Sequence, residues 1–547
     1  MSRKVDFFIS KFRENLKKEF LPGDYFRPRP YRNAAVRFRD CSIEEFEERR
    51  DILIGEAGLN PFLFRADKIP GCDLLSDSGT TTMTIQQWAA MLMGDEAYGS
   101  NQGYFEMKEQ FGSTFGSGWM GGEGSGIVGD ENLFIFHQGR AAENAFFSVL
   151  RRELQNRPEG TARALSNGLL EGLRERIESK ISVNRRDTGA DNRPFHIIPS
   201  NSHFDTTEGN IEDKMMIPLN MPCKEHIANN ENFFFRGNLN TEELENLLEN
   251  EPDRVPLIYL TITNNTGGGQ PVSMANIREI HGIAERHRIP FFFDACRFAE
   301  NAWFIQRNEE GYAVKEIGEI VHEMFEHVDG FHISLKKDGL VNIGGAMCIK
   351  SDSLFDSIFP HFREKLVDFQ IMTEGHPTYG GLAGRDLKGI SCGLRTVTGR
   401  DYLEARIGQV RRFAEKMSDS GIPVIKPAGG HAVYIDMDRF FDGAGESGEF
   451  MGIAFTALLL IAGHRVCELG TYAFGRFDGK REIPPEPRVN FVRAAVPRLT
   501  YEDQDLFSVV ESIKILNEFR DKVPGVNVEY GRDLKLRHFK SRFSFKK

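Results

Sequence analysis

The chain has 547 residues, 40% of them hydrophobic and 27% charged, with a formal net charge of -11 at pH 7. That length supports a large buried core, arranged as one two-domain protomer or as two or three smaller domains, and the acidic balance argues against a nucleic-acid surface. No stretch has the apolar length of a bilayer span and the N-terminus lacks a signal peptide's apolar region, so no membrane association and a cytoplasmic location are expected; the seven cysteines, none in a C-x-x-C pair, read as reduced thiols.

The first biased segment is the glycine-rich stretch from Gly112 to Gly129, which contains Gly116-Ser-Gly-Trp-Met-Gly121. It satisfies G-x-G-x-x-G, but no apolar strand runs directly into it and no helical pattern follows, so it is read as a flexible loop and not a dinucleotide site. Next, Leu133-Phe-Ile-Phe-His137 has strand character and leads through Gln138-Gly-Arg140 into a helical pattern from Ala141 to Leu154. Gly139 would let the backbone approach a ligand there, and free N–H groups with Arg140 could cradle a phosphate. The ordinary alternative is a plain helix cap with a surface arginine. Further on, Leu169, Leu173, Ile177 and Ile181 form an amphipathic helical stripe.

Organisation is clearest from Val255-Pro-Leu-Ile-Tyr-Leu-Thr-Ile-Thr263, a buried-strand pattern. The loop Asn264 to Val272 follows, then Ser273 as a helix cap, a helix with Met274, Ile277, Ile280 and Ala284 on one face, and a second strand from Ile289 to Phe293. A strand-helix-strand unit of this kind implies parallel strands. His322-Glu-Met-Phe-Glu-His327 spaces its histidines five apart, where two metal ligands on one helix face need four, and reads as an ordinary helix.

Two segments carry chemistry. Phe291-Phe-Phe-Asp294 ends an apolar strand in an acid, and Phe331-His-Ile-Ser-Leu-Lys-Lys-Asp338 ends the next in a lysine pair. Pyridoxal phosphate (PLP) needs a lysine amine for a Schiff base and a carboxylate that keeps its ring nitrogen protonated. Parallel strands ending at one sheet edge can deliver both. Taken singly, each residue has a plainer reading, as a solvated lysine or a turn-forming acid.

Beyond about residue 400 the pattern becomes helical with short strands, including His431-Ala-Val-Tyr-Ile-Asp436 and Val489-Asn-Phe-Val-Arg-Ala494, which suggests a smaller C-terminal domain. Thr500-x-x-Asp503 is a capping signal for a helix bearing Leu506, Val510, Ile513 and Leu516. The tail Lys535 to Lys547 alternates basic residues with Leu536, Phe539, Phe543 and Phe545 and is expected to be a packed edge strand.

The longer motifs are Asp77-Ser-Gly-Thr80, Gln87-Trp-Ala-Ala-Met91, Gly94-Asp-Glu-Ala-Tyr98, His137-Gln-Gly-Arg140, Gly268-Gly-Gln-Pro-Val-Ser273, Arg297-Phe-Ala-Glu-Asn301, Ser334 to Gly345 and Tyr379-Gly-Gly-Leu382. On these, from about Tyr25 to the C-terminus, the chain resembles the β-eliminating lyases, the PLP enzymes that include tryptophanase and tyrosine phenol-lyase. The resemblance implies an α/β chain of the PLP-dependent transferase fold, aspartate aminotransferase type (fold type I). Residues 1–75 would be an N-terminal arm and part of the small domain, and 76–385 a large, mostly parallel-sheet PLP domain with insertions near 112–130 and 155–195. Residues 386–547 would be the smaller α+β domain. The stretch between Arg140 and Phe204 is about forty residues longer than in relatives, too long for an ordinary connection, and is expected to pack on the protomer surface or at a subunit contact.

Position by position, the resemblance makes Lys337 the Schiff-base lysine and the base for the substrate α-proton, supported by Lys336. Asp294 would pair with the ring nitrogen, Phe204 would stack on the ring, and Arg297 and Asn265 would bond its oxygen. Gln138, Gly139, Arg140, Ser334 and Lys336 would form the phosphate shell. Arg493 would grip the substrate carboxylate, with Ser76, Ser78, Asn265, Tyr379 and Leu469 around the substrate. Tyr98 would be a general acid reaching across from a partner subunit, which implies a homodimer or homotetramer with shared active sites. Gly79, Glu96 and Asn342 would hold a monovalent cation, expected to be potassium.

The implied reaction is carbon–carbon lysis by β-elimination from an amino acid. Phenol-lyases carry a threonine after the stacking Phe, an arginine near the small-domain pocket and a Phe in the C-terminal strand, where this chain has Asp205, Leu469 and His538. These favour L-tryptophan, giving indole, pyruvate and ammonium, since Asp205 can accept from an indole N–H and Leu469 removes a cation suited to a phenol oxygen. Tyrosine or another amino acid is the alternative, and a catalytically silent PLP-fold binding protein a third. Departures from the family pattern are His376, Leu335, Ser76 and the loop Asn265 to Gly269; His376, near the side-chain pocket, could disfavour indole.

Overall fold

The computed structural model describes residues 38–120, 132–155, 164–188, 196–443, 449–485 and 488–546, with a few isolated positions before residue 38. Its centre is a five-stranded sheet. The strands of this region are β1 (Leu133–Phe136), β2 (Ile197–Ser200), β3 (Ile217–Asn220), β4 (Ile258–Thr261), β5 (Phe291–Asp294), β6 (Gly330–Ser334) and β7 (Gly345–Ile349). The five lie in the order β1-β7-β6-β5-β4, with β4, β5 and β6 parallel and β7 antiparallel to both its neighbours. Parallel β2 and β3 extend it, because the Asn201 side chain donates to Thr261 O (2.9 Å) and accepts from Thr261 N (3.0 Å).

Both faces of the sheet are covered, so its strands are apolar throughout and alternate between two cores. Leu133, Ile135, Ile258, Leu260, Phe291, Phe293, Phe331 and Ile333 enter one core. Phe134, Phe136, Tyr259, Phe292 and Met347 enter the other, under the helix Gly139–Gln155 that contributes Phe146 and Phe147. A third core belongs to the C-terminal part. There a three-stranded sheet of Ala432–Asp436, Phe491–Ala495 and Cys467–Leu469 packs with Val410, Phe413 and Leu506, and with Leu53, Phe64 and Leu74 from the N-terminal side.

Several expectations are refined. The helix after Ser273 starts where expected, with Ser273 Oγ accepting from Asn276 N at 3.1 Å. The later helix begins at Asp503 with Glu502 in a capping box, while Thr500 instead donates to Thr80 O at 3.2 Å. Tertiary bonding to the segment at 80–82 won over the local cap signal. The C-terminal tail is a strand only over Arg542–Phe545, paired with Val526–Tyr530; Arg537–Phe539 forms a tight helical turn, so alternation misread its first half. In the glycine-rich stretch, Ser117–Trp119 forms a short turn whose Trp119 is buried against Phe331, so this part is anchored; residues 121–131 lie outside the described residues.

The stripe in the long connection sits on the helix Glu171–Thr188, except for Leu169, which precedes it. Leu169, Leu173 and Ile177 are buried in the sheet's first core, with Ile181 packed against it, and Arg176 donates to Asn220 O on β3 at 2.8 Å. This segment therefore packs on its own protomer. Among the described residues no helix is long and apolar enough to cross a membrane.

Candidate active site

Parallel β5 and β6 place Asp294 opposite His332 in register, and β6 runs through Ser334 into a turn carrying Lys336 and Lys337. The cleft at this sheet edge is lined by Gln138, Gly139 and Arg140 from the start of the helix after β1, by Phe204 and by Asn265, Asp294, Arg297, Ser334, Lys336 and Lys337. Ser78 also lines it. Residues separated by some 200 positions thus converge because the ends of parallel strands share one edge.

The donor set suits PLP. Lys337 is buried, its Nζ 5.9 Å from the Phe204 ring centroid. Lys336 Nζ donates to Gln138 Oε1 at 3.4 Å, and its pKa is lowered by burial and then by Lys337 and Arg140. Positive charge is thus concentrated beside the first-turn N–H groups at Gly139, the end of a helix that favours an anion. Gly139 itself is required by packing, since a Cβ there would lie 2.7 Å from Ser334 Cβ. Close approach of helix to strand, more than approach to a ligand, excludes a side chain.

Asn265 and Arg493 form one unit. Asn265 Oδ1 accepts from Tyr434 Oη (2.6 Å) and Arg493 Nη1 (3.2 Å) and lies 2.8 Å from His431 Nε2, so the amide nitrogen is the end able to donate to a ligand. Arg493 Nη2 donates to Leu75 O at 3.0 Å, whereas its buried Nε has no partner among the described residues. An orphaned guanidinium N–H in a buried place fits a carboxylate ligand. Arg297 lines the cleft and is held by Asp77 through two bonds from Nε and Nη2, 3.1 and 2.8 Å.

Asp205 and His538 meet, with His538 Nε2 3.3 Å from Asp205 Oδ2, both buried. Burial alone would raise the Asp205 carboxyl, but His538, Arg140 and Arg493 hold it below the ordinary carboxylate range. Leu469 is buried among Ile425, Tyr434, Cys467 and Ala495.

Other expected residues stand apart from the cleft. Tyr98 is 81% exposed and packs edge-on to Tyr379 (5.5 Å) and His376 (6.1 Å). Ser76 Oγ accepts from Ser78 N at 3.1 Å. Gly79 and Asn342 touch, Asn342 Nδ2 donating to Gly79 O at 2.9 Å and Thr81 O at 3.2 Å, while Glu96 is exposed in the loop after Ile85–Leu92.

Sequence reasoning missed a group behind Asp294. His332 Nε2 lies 2.9 Å from Glu143 Oε1 and 3.5 Å from Asp294 Oδ1; its Nδ1 bonds the Tyr259 hydroxyl; and Cys296 Sγ accepts from Ser334 N at 3.2 Å. The available signal was a histidine and a tyrosine at second-core positions of otherwise apolar strands.

A lysine after one strand end, an acid on its parallel neighbour and a helix N-terminus at the same sheet edge define a fold-type I PLP-dependent enzyme. The Sphingomonas wittichii serine palmitoyltransferase structure is similar in fold, with a TM-score of 0.51 at 11% identity, covering 88% of this chain and 98% of that one. The chain belongs to the β-eliminating lyases, whose family model matches residues 73–512. It is 36% identical over 513 residues to a tryptophanase of Salinibacter ruber, covering 92% of this chain and 93% of the relative. It is also 34% identical over 505 residues to a tyrosine phenol-lyase of Intrasporangium calvum, covering 91% of each. PLP-dependent β-elimination on an amino acid is therefore its general chemistry.

Proposed function

We propose that this lyase acts on L-tryptophan, releasing indole, pyruvate and ammonium. The observation that carries the reading is the buried Asp205–His538 contact at 3.3 Å, a polar pair able to meet an indole N–H and a proton moving toward the ring.

Bound PLP supplies an electron sink that acidifies the α-C–H of an attached amino acid. This chain's residues do the rest. Lys337 and Asp294 hold the cofactor at its two ends, Phe204 covers a ring face, and Gln138, Gly139, Arg140, Ser334 and Lys336 surround its phosphate. Arg493, with the Asn265 amide beside it, binds the substrate carboxylate and so presents the α-proton to the Lys337 amine. Indole leaves only after its ring carbon is protonated, so an acid is needed on the side-chain face. We assign that acid to Tyr98, delivered across a homodimer or homotetramer contact; its hydrogen bond to Tyr379, followed by that residue's charge, raises the Tyr98 pKa and so retains its proton. Gly79, Glu96 and Asn342 are assigned to potassium. Tyrosine or a smaller amino acid is the second reading, favoured by His376 beside Tyr98.

Purified protein with PLP and potassium should release indole from tryptophan faster than phenol from tyrosine, and borohydride should fix the cofactor to Lys337. Pyruvate from S-alkyl cysteines without indole from tryptophan would replace the substrate; label on another residue would remove the mechanism.

A further inference from the structure

On the second face of the central sheet the inward residues are Phe134, Phe136, Tyr259, Phe292 and Met347, all apolar or aromatic, and His332 stands among them 2% exposed. An imidazole in such a layer is expensive unless every polar atom is used. Here each is. Nδ1 meets the Tyr259 hydroxyl, with the two rings stacked at 13°, and Nε2 faces Glu143 Oε1 at 2.9 Å and Asp294 Oδ1 at 3.5 Å. Glu143 is fixed in turn by Thr206 and Thr207 hydroxyls and by Asn210, and Asp294 Oδ1 also accepts from Cys296 N at 3.3 Å.

We propose that His332 is a positioning residue for the cofactor: clamped between Glu143 and Asp294 and backed by Tyr259, it anchors Asp294 Oδ1 so that Oδ2 is offered to the ring nitrogen of PLP. The inference rests on the PLP reading above. Charge counting supports it. Burial disfavours a charged imidazole, but Asp294 and Glu143 outweigh it and raise the His332 pKa well above its ordinary value. Two buried carboxylates against one imidazolium leave one negative charge, which a protonated ring nitrogen neutralises. The titratable groups facing His332 are Asp294 on β5, Glu143 on the helix after β1, Tyr259 on β4 and Cys296 after β5.

The test uses apoprotein of wild type, His332→Gln, Glu143→Gln, Tyr259→Phe and the double variant H332Q/E143Q, titrated with PLP by fluorescence and followed by absorbance of the bound cofactor against pH. H332Q, which keeps a donor but loses the charge, is expected to bind PLP about 10-fold or more weakly and to move the absorbance midpoint, since a lost charge partner shifts a coupled proton. The double variant restores the charge balance but removes the whole clamp, and is expected to bind PLP no better than H332Q, with Tyr259→Phe showing a smaller loss. Affinity within about twofold of wild type with an unmoved midpoint in H332Q, or a double variant that recovers wild-type affinity, overturns the proposal. If H332Q does not fold, the Tyr259→Phe midpoint decides: unmoved, it overturns the proposal. Wild type that takes up no PLP, or is not labelled at Lys337, overturns the PLP reading itself and this one with it.

Discussion

Two buried ionic clusters that adjoin in sequence at residues 294–300 and 332–338 are built to different ends. One joins the large and C-terminal parts: Arg498 bonds Asp77 (3.0 Å), Glu300 (2.8 Å) and Asp338 (2.8 Å), Arg297 holds Asp77, and Arg406 holds Glu300 (3.2 Å). Three arginines face three acids, all buried, so the set is closed in charge, although Glu300 Oε2, Arg406 Nη1 and Arg498 Nε have no hydrogen-bond partner among the described residues. The other, Asp294, Glu143 and His332, has two acids against one base and opens on the cleft. A set closed in charge needs no further ion and serves architecture. An open one, left a positive charge short in a low-dielectric place, is where a cationic ring nitrogen is wanted.

Breaking this contrast gives graded outcomes. Lys337→Ala removes the amine at the open end and is expected to lower pyruvate release by at least about 10³-fold with little change in melting temperature. Arg498→Met does the reverse: it leaves three buried acids against two arginines, Asp338 with none, and should cost about 3–5 kcal/mol of stability, read by denaturant unfolding. Asp205→Ala is expected to lower kcat/KM for tryptophan by about 10²-fold while sparing S-alkyl cysteines, which need no indole contact; equal losses on both would place Asp205 outside recognition.

The smallest effect sharpens the comparison through pH. Burial, then Glu300, raises the Asp338 carboxyl to about 6 from the ordinary 3.8, against the pull of Arg498. Between those values the folded chain holds a proton that the unfolded chain releases, so this residue's contribution to stability falls as pH rises from about 4 to 6. In Asp338→Asn that part of the slope of melting temperature against pH should vanish; an unchanged slope would show that the closed cluster keeps Asp338 ionised.

Much of the cofactor end was legible because apolar runs of strand length, with an acid after one and lysines after the next, allow few arrangements. Asp294 and Lys337 line one cleft for that reason. Local signals failed where a distant partner competed: Thr500 looked like a cap until Thr80 engaged it, and the tail alternated like a strand although Arg537–Phe539 turns to let Arg537 donate to Tyr472 O at 2.8 Å.

By itself, the order of residues determined the parallel βαβ unit, the family and the residue types at the cleft, since strand period and motif spacing are properties of neighbours along the chain. Only the tertiary structure decided which charges face each other. Glu143 and His332 lie 189 positions apart, and Asp205 and His538 lie 333 apart. Their pairing depends on which strand lies beside which and on how the C-terminal segment folds back, and no local pattern encodes either.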